Sequence, residues 1–244
     1  MRPLRPTDIL EISELGLSKS LPARAVLLLA RVCPEESWET LAKLSIGERD
    51  SRLLSLRQWT FGNRLQGLTN CPACQLPLSL EVDIEDIQFR ERAATPNQHT
   101  FSLEGYDVSF RLPNTEDLIA VIDSKEEVGE SSWFLERCLV EARCGTRPIH
   151  ARELPPALQD EIMHRMEVAD PQGYLQWAVN CPSCGHSWRA LFDIVSFLWN
   201  EITALARQLL FEVHALASAH GWSEEEILRM SSWRREMYLG MVNG

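Results

Sequence analysis

Four of the seven cysteines stand in two matching pairs, Asn70-Cys71-Pro72-Ala73-Cys74 and Asn180-Cys181-Pro182-Ser183-Cys184. A C-P-x-C loop lets two sulfurs converge, and two such loops supply four soft thiolates, the ligand number of a closed tetrahedral zinc site. The runs that follow, 78–84 and 187–194, alternate in part as strands do. A knuckle followed by a strand, twice over, predicts a zinc ribbon. A shell of Cys71, Cys74, Cys181 and Cys184 leaves no open coordination position, so the Zn2+ predicted here is structural rather than catalytic. His186 follows the second pair closely. With four thiolates at hand it is expected beside the metal or on the surface, not as a ligand.

Other chemistries of paired cysteines fit less well. A thioredoxin-type dithiol sits at a helix N-terminus, where the dipole lowers the thiol pKa, but Gly185 and a strand-like run follow Cys184. Disulfides need an oxidising compartment, and no secretory signal is recognised. Cys33, Cys138 and Cys144 fall singly in apolar helical patterns and are expected to be buried core residues.

About a hundred residues separate the two pairs, so one metal bound by both must draw distant parts of the chain together. Residues 1–66 read as an N-terminal helical domain, 67–85 with 174–195 as a split zinc ribbon, 86–173 as an insertion and 196–244 as a C-terminal helical segment. The fold class expected is α+β and mostly helical, with the small ribbon, an inserted α/β segment, and a long C-terminal helix followed by short ones. In the first segment Pro22 opens a helix and Ser37 caps the next. Ser45 and Glu48 have capping-box spacing ahead of a helix over 49–59. Leu53, Leu56 and Trp59 form its apolar face; Asp50, Arg52, Arg57 and Arg64 read as its solvated face.

In the insertion, 101–103 and 108–112 flank Gly105 as a hairpin. Pro113 to Asp117 begins a helix with acids in its first turn, carrying Leu118, Ile119, Val121 and Ile122. Residues 124–132 read as a loop. Trp133, Phe134, Leu135, Cys138, Leu139 and Ala142 mark a further helix closed near Gly145, and another carries Leu158, Ile162, Met163 and Met166. Residues 91–98 read as a linker, and 174–179 as the strand into the second knuckle. After it, Leu198, Ile202, Leu205, Leu209, Val213, Leu216 and His220 recur at spacings of three and four, one continuous helical stripe. Gly221 ends that helix, and Ser223 with Glu226 is another capping box.

The chain has 244 residues, with 24 Lys and Arg against 35 Asp and Glu, a net charge of −11. A protein that binds phosphates needs a basic face; the only local basic clusters are Arg2 with Arg5 and Arg234 with Arg235. No run approaches the ~20 apolar residues of a transmembrane helix. The expectations are therefore no nucleic-acid partner and no membrane; free thiols without a secretory signal add a cytoplasmic location for assembly, with residence in the finished particle left open. Beyond the knuckles, no internal repeat stands out. Gly-rich phosphate loops, nucleophile elbows and metalloprotease motifs do not occur, and the six histidines form no cluster with acids. No catalytic residue is nominated, and the chain is expected not to be an enzyme.

Residues 112–118 (LPNTEDL), 135–139 (LERCL), 169–171 (ADP) and 181–188 (CPSCGHSW) together resemble baseplate proteins of contractile phage tails. More closely, they are similar to zinc-ribbon-bearing relatives found with extracellular contractile injection systems and named after the T-even phage baseplate hub assembly chaperone. Residues 197–202, 221–228, Arg234-Arg235 and Tyr238-Leu239 resemble the tail of the same group. The resemblance implies a non-catalytic baseplate assembly factor or structural component that binds hub, wedge or spike proteins. The alternative expectation is a zinc-ribbon regulator that binds nucleic acid or the transcription machinery.

Overall fold

The structure, a computed structural model, describes residues 1–88, 98–123 and 130–242. In chain order the elements are α1 (Pro6–Leu15), α2 (Leu21–Val32), α3 (Trp38–Ala42), α4 (Ile46–Phe61), β1 (Arg64–Asn70), β2 (Pro77–Asp83), a single turn α5 (Ile84–Ile87), β3 (His99–Leu103), β4 (Tyr106–Phe110), α6 (Thr115–Asp123), α7 (Glu130–Cys138), β5 (Leu139–Cys144), β6 (Arg147–Pro148), α8 (Pro156–Ala169), β7 (Gln176–Asn180), β8 (Ser187–Leu191), α9 (Ile194–His220), α10 (Glu224–Leu228) and α11 (Ser232–Val242). The fold is α+β and mostly helical.

α9 is the spine. Asp193 caps it by accepting from the Val195 amide at 2.9 Å, and Gly221 closes it in the left-handed region at φ 71°. Leu198, Ile202, Leu209 and Leu216 of its stripe are fully buried, and α1, α2 and α4 pack on the same core. Arg57 of α4 is buried and grips Glu201 of α9 through both guanidinium arms, at 3.0 and 2.6 Å. Burying a leucine-sized side chain contributes roughly 1.5–3 kcal/mol, so this stripe dominates the packing.

A second apolar cluster lies within the 98–169 stretch. β3, β4, β5 and β6 form an antiparallel meander in that order, turned at Gly105 (φ 84°) and Gly145 (φ 60°). Phe110, Leu135, Cys138, Leu158 and Ile162 are buried beneath it. Asp117 at the start of α6 is fully buried and accepts from Arg111, Arg137 and the Asn114 amide. Burial alone would raise its carboxyl, but these hydrogen bonds outweigh it and hold it below the usual range.

The two clusters meet at the N-terminus of α4, whose first amides need acceptors. Ile46 N–H donates to the Pro113 carbonyl at 3.1 Å, and Gly47 N–H to the buried Asp170 carboxylate at 2.7 Å. Arg49 reaches Thr115 Oγ1 at 3.3 Å. Gly173 closes the joint: a Cβ there would lie 3.0 Å from the Gly47 nitrogen.

Several expectations are corrected. The helix expected to run from Trp133 through Ala142 ends at Cys138; Leu139 to Cys144 is strand β5, because pairing with β4 satisfies its backbone and overrides a helix-like apolar spacing. Cys144 on that strand is exposed, not buried. Asp50 and Arg57 are buried rather than solvated, and Arg64 opens β1 rather than lying on a helix face. Trp59 is half exposed, and Ile122 lies outside the core. β1 starts at Arg64, inside the span read as helical, and Tyr174 belongs to a 3-10 turn before β7. The linker expected at 91–98 lies outside the described residues apart from Gln98, as does most of the 124–132 loop.

Candidate metal centre

Each cysteine pair sits in the turn of a two-stranded hairpin, β1–β2 for Cys71 and Cys74, and β7–β8 for Cys181 and Cys184. The two turns are built alike. Cys71 N–H donates to the Leu76 carbonyl and Gln75 N–H to the Cys71 carbonyl; Cys181 N–H donates to His186 O and Gly185 N–H to Cys181 O. Gln75 and Gly185, at equivalent places, both take positive φ, at 61° and 72°. The first cysteine of each pair is buried and the second exposed.

The structure brings all four predicted residues together. Cys71 Sγ lies 3.7 Å from Cys184 Sγ, and Cys74 Sγ 3.6 Å from Cys181 Sγ, with all four sulfurs within 4.8 Å of one another. A disulfide needs about 2.05 Å. A regular tetrahedron with Zn–S bonds of about 2.3 Å has sulfur–sulfur edges of about 3.8 Å. The observed spacings match those edges and join the two hairpins across the site. The residues present therefore fit a four-thiolate divalent metal.

The electrostatics agree. Backbone amides of Cys184 and Ser183 point at the Cys181 sulfur and pull its thiol down to about 7. The Leu76 amide does the same for Cys74, yet desolvation and the neighbouring sulfurs push that thiol up to about 12. Four crowded thiols cannot all ionise by themselves; a divalent cation removes that penalty. His186 is exposed and stacks on Trp188 with ring centroids 5.9 Å apart; its side chain is not among the ligand atoms that cluster.

Comparing the two hairpins reveals a relationship the sequence reading missed. At a constant offset of 110 residues, Leu65-Gln66 matches Leu175-Gln176, Asn70-Cys71-Pro72 and Cys74 match Asn180-Cys181-Pro182 and Cys184, and Asp83-Ile84 matches Asp193-Ile194. The repeated unit is strand, knuckle, strand, Asp, helix. Ile84 and Ile194 are both buried where each helix begins, α5 in one copy and α9 in the other. The copies differ where they touch. Gly67 occupies the place of Trp177, and a Cβ on Gly67 would meet that indole at 3.9 Å. Trp177 then stacks on Phe192 at 4.6 Å. The shared L-Q-x₃-N-C-P-x-C-x₈-D-I spacing was the available signal.

A family model described as T4 bacteriophage base plate protein matches residues 8–199. The chain belongs to that family. The matched segment contains both knuckles and the whole 98–169 stretch, and it stops at Trp199, within the first two turns of α9. Membership supports a structural or assembly role in a phage baseplate. No curated protein and no solved structure matches the chain. Among the described residues, no helix is long and apolar enough to cross a membrane.

Proposed function

We propose that this chain is a non-catalytic assembly factor or structural component of a contractile-tail baseplate, of the hub assembly chaperone type, docking on hub, wedge or spike proteins. Its four cysteines hold one structural zinc at the tips of the two hairpins. The observation that carries the metal is the cross-hairpin sulfur spacing of 3.6 and 3.7 Å; the family match to a base plate protein carries the assembly role.

In this reading zinc acts as a clamp. β2 runs into α5 and β8 into α9, and the 86–173 insertion leaves and re-enters beside the hairpins. Joining the knuckles fixes the ends of that insertion against the helical body, with residues 1–66 and 196–244 on either side of the ribbon. The protein then presents one preorganised surface to its partners, which reduces the ordering that binding costs. Assembly takes place in the cytoplasm.

Affinity capture of the tagged full-length chain from its native host tests the role. Co-purified tail hub or wedge proteins support it. Recovery of RNA polymerase or DNA in their place, with binding that weakens steeply with salt as phosphate contacts do, overturns it.

A further inference from the structure

The antiparallel meander β3–β4–β5–β6 has two edges, and they end differently. At one, β6 is only Arg147–Pro148; Pro148 has no amide to donate, and Ile149 N–H returns to the Ala142 carbonyl at 2.8 Å. At the other, β3 contains no proline, lysine or carboxylate, the residues that blunt an exposed edge. The register fixes which of its groups face outward. Glu104 and Gly105 form a two-residue turn, both at positive φ, 49° and 84°, closed by the Leu103–Tyr106 pair. In such a hairpin the closing pair is hydrogen-bonded, as is every second pair after it. Phe101 with Val108 and His99 with Phe110 are therefore the bonded pairs, and the amides and carbonyls of Thr100 and Ser102 point away from β4. Among the described residues, no backbone group pairs with them. We propose that this edge accepts an extended, uncharged segment of a partner protein as an added antiparallel strand, with aliphatic side chains on one face and hydroxyl side chains on the other.

Both faces of this edge are hollowed. On the inner face a cleft of about 420 Å³ lies between β3 and α8, and its wall includes His99, Phe110, Val168 and Ala169. Val168 is 67% exposed, an apolar side chain left uncovered on α8. His99 stacks on Phe110 with ring centroids 5.2 Å apart, and its Nε2 is buried without a partner. On the outer face a hollow of about 230 Å³ includes Thr100, Ser102 and Ser109. Side chains alternate along a strand, and directly opposed residues share a face. A strand laid beside β3 therefore places one set of side chains in the apolar cleft and the other beside hydroxyls.

The carboxylates on both faces already have partners within the chain. In the cleft Glu161 pairs with Arg165 at 2.6 Å, and that guanidinium lies 4.2 Å from the Phe101 ring centroid. In the hollow Glu141 pairs with Arg143 at 2.6 Å, and Asp107 accepts from Ser102 Oγ at 2.5 Å. The groups left unpaired along the edge are backbone, and an extended chain is the occupant that satisfies them: its main chain gives affinity and its alternate side chains give specificity. This edge is one means of carrying out the partner-binding role proposed above, on which the inference rests, and it is independent of the metal.

The test uses the purified full-length protein and a fluorescein-labelled short peptide of alternating valine and threonine, read by anisotropy and by hydrogen exchange at the Thr100 and Ser102 amides. Two comparison peptides keep every side chain but are N-methylated, one at its threonines and one at its valines. In an antiparallel addition the threonines lie opposite Thr100 and Ser102 and supply the donors. The plain peptide is expected to bind and to slow exchange at those two amides. Methylated threonines weaken binding by about tenfold or more, and methylated valines leave it intact. Thr100→Pro, which removes an outward amide and leaves the β3–β4 bonds in place, and Val168→Glu weaken it similarly; Glu224→Gln, on α10, does not. The methylated peptides and Val168→Glu decide the matter even where Thr100→Pro fails to fold. No binding, equal binding of both methylated peptides, loss on methylation of the valines instead, or indifference to Val168→Glu overturns the proposal. A dimer that Thr100→Pro dissolves and the peptide does not displace also overturns it, since a second copy then takes the edge. Baseplate capture from the host is a separate readout, so failure of the edge and failure of the assembly role are distinguishable.

Discussion

Asp50 offers a quantitative check on the interior of α4. The residue is 9% exposed and its carboxylate accepts from Arg49 Nε at 2.7 Å. Burial pushes the carboxyl up to about 6 against the pull of Arg49, and Asp193 and Asp170 add like-charge repulsion. The reference value is 3.8. Between the two, the folded protein binds more protons than the unfolded chain. The group's contribution to stability therefore falls as pH rises from about 4 to about 6 and is level above that. A gap of about two pH units corresponds to about 3 kcal/mol. Asp50→Asn abolishes the ionisation and leaves an amide oxygen for Arg49. The variant is expected to exceed the wild type in urea-unfolding stability by up to about 3 kcal/mol at pH 7.5 and by about half as much at pH 5. Both proteins are measured zinc-loaded, so metal effects common to them cancel. A variant less stable than the wild type at pH 7.5, or a difference that does not change with pH, would refute the reasoning and show the Arg49–Asp50 pair to be net stabilising.

Two further perturbations probe the joints. Asp170→Ala strands the Gly47 amide without its 2.7 Å acceptor; a loss of about 1–3 kcal/mol is expected, with faster hydrogen exchange in β3 and β4 while α9 stays protected. Uniform exchange across both clusters would show that this joint does not hold them together. Gly16→Ala places a Cβ 2.0 Å from Cη2 of Trp199, a ring 8% exposed and flanked by Arg24. Overpacking of this kind costs about 1–3 kcal/mol, a fall in Tm of roughly 2–12 °C for a chain of this size. An unchanged Tm would mean that the α1–α9 contact can relax at no cost.

What was legible in the sequence was local. The C-P-x-C spacing nominates ligands because a knuckle is a local structure. Leu198 to Leu216 announces α9 because one helical face repeats through about five turns. Ser223 and Glu226 form the expected capping box, with Ser223 Oγ accepting from Glu226 N–H and the Glu226 carboxylate accepting from Ser223 N–H. The misses have non-local causes. β1 hides because its inward positions are Leu65, Gly67 and Thr69, a weak apolar alternation in which Gly67 leaves room for Trp177 from 110 residues away. Leu139 and Ala142 continue the helical spacing of α7, and only pairing with β4 makes them strand. Asp50 and Arg57 read as a solvated helix face, and Asp117 as a first-turn acid. Arg57 is buried because Glu201, 144 positions on, neutralises it, and no window of local sequence contains that partner.

The role of the cysteines as joint metal ligands is the claim most open to a single measurement. Elemental analysis of the full-length protein, purified without chelator, is expected to give one zinc per chain, with X-ray absorption showing sulfur-only coordination at about 2.3 Å. The Cys71→Ser/Cys181→Ser variant, which removes one sulfur from each hairpin, is expected to lose the metal. Absence of zinc from the mildly purified wild type, or full zinc occupancy in the double variant, would contradict a site shared by Cys71, Cys74, Cys181 and Cys184.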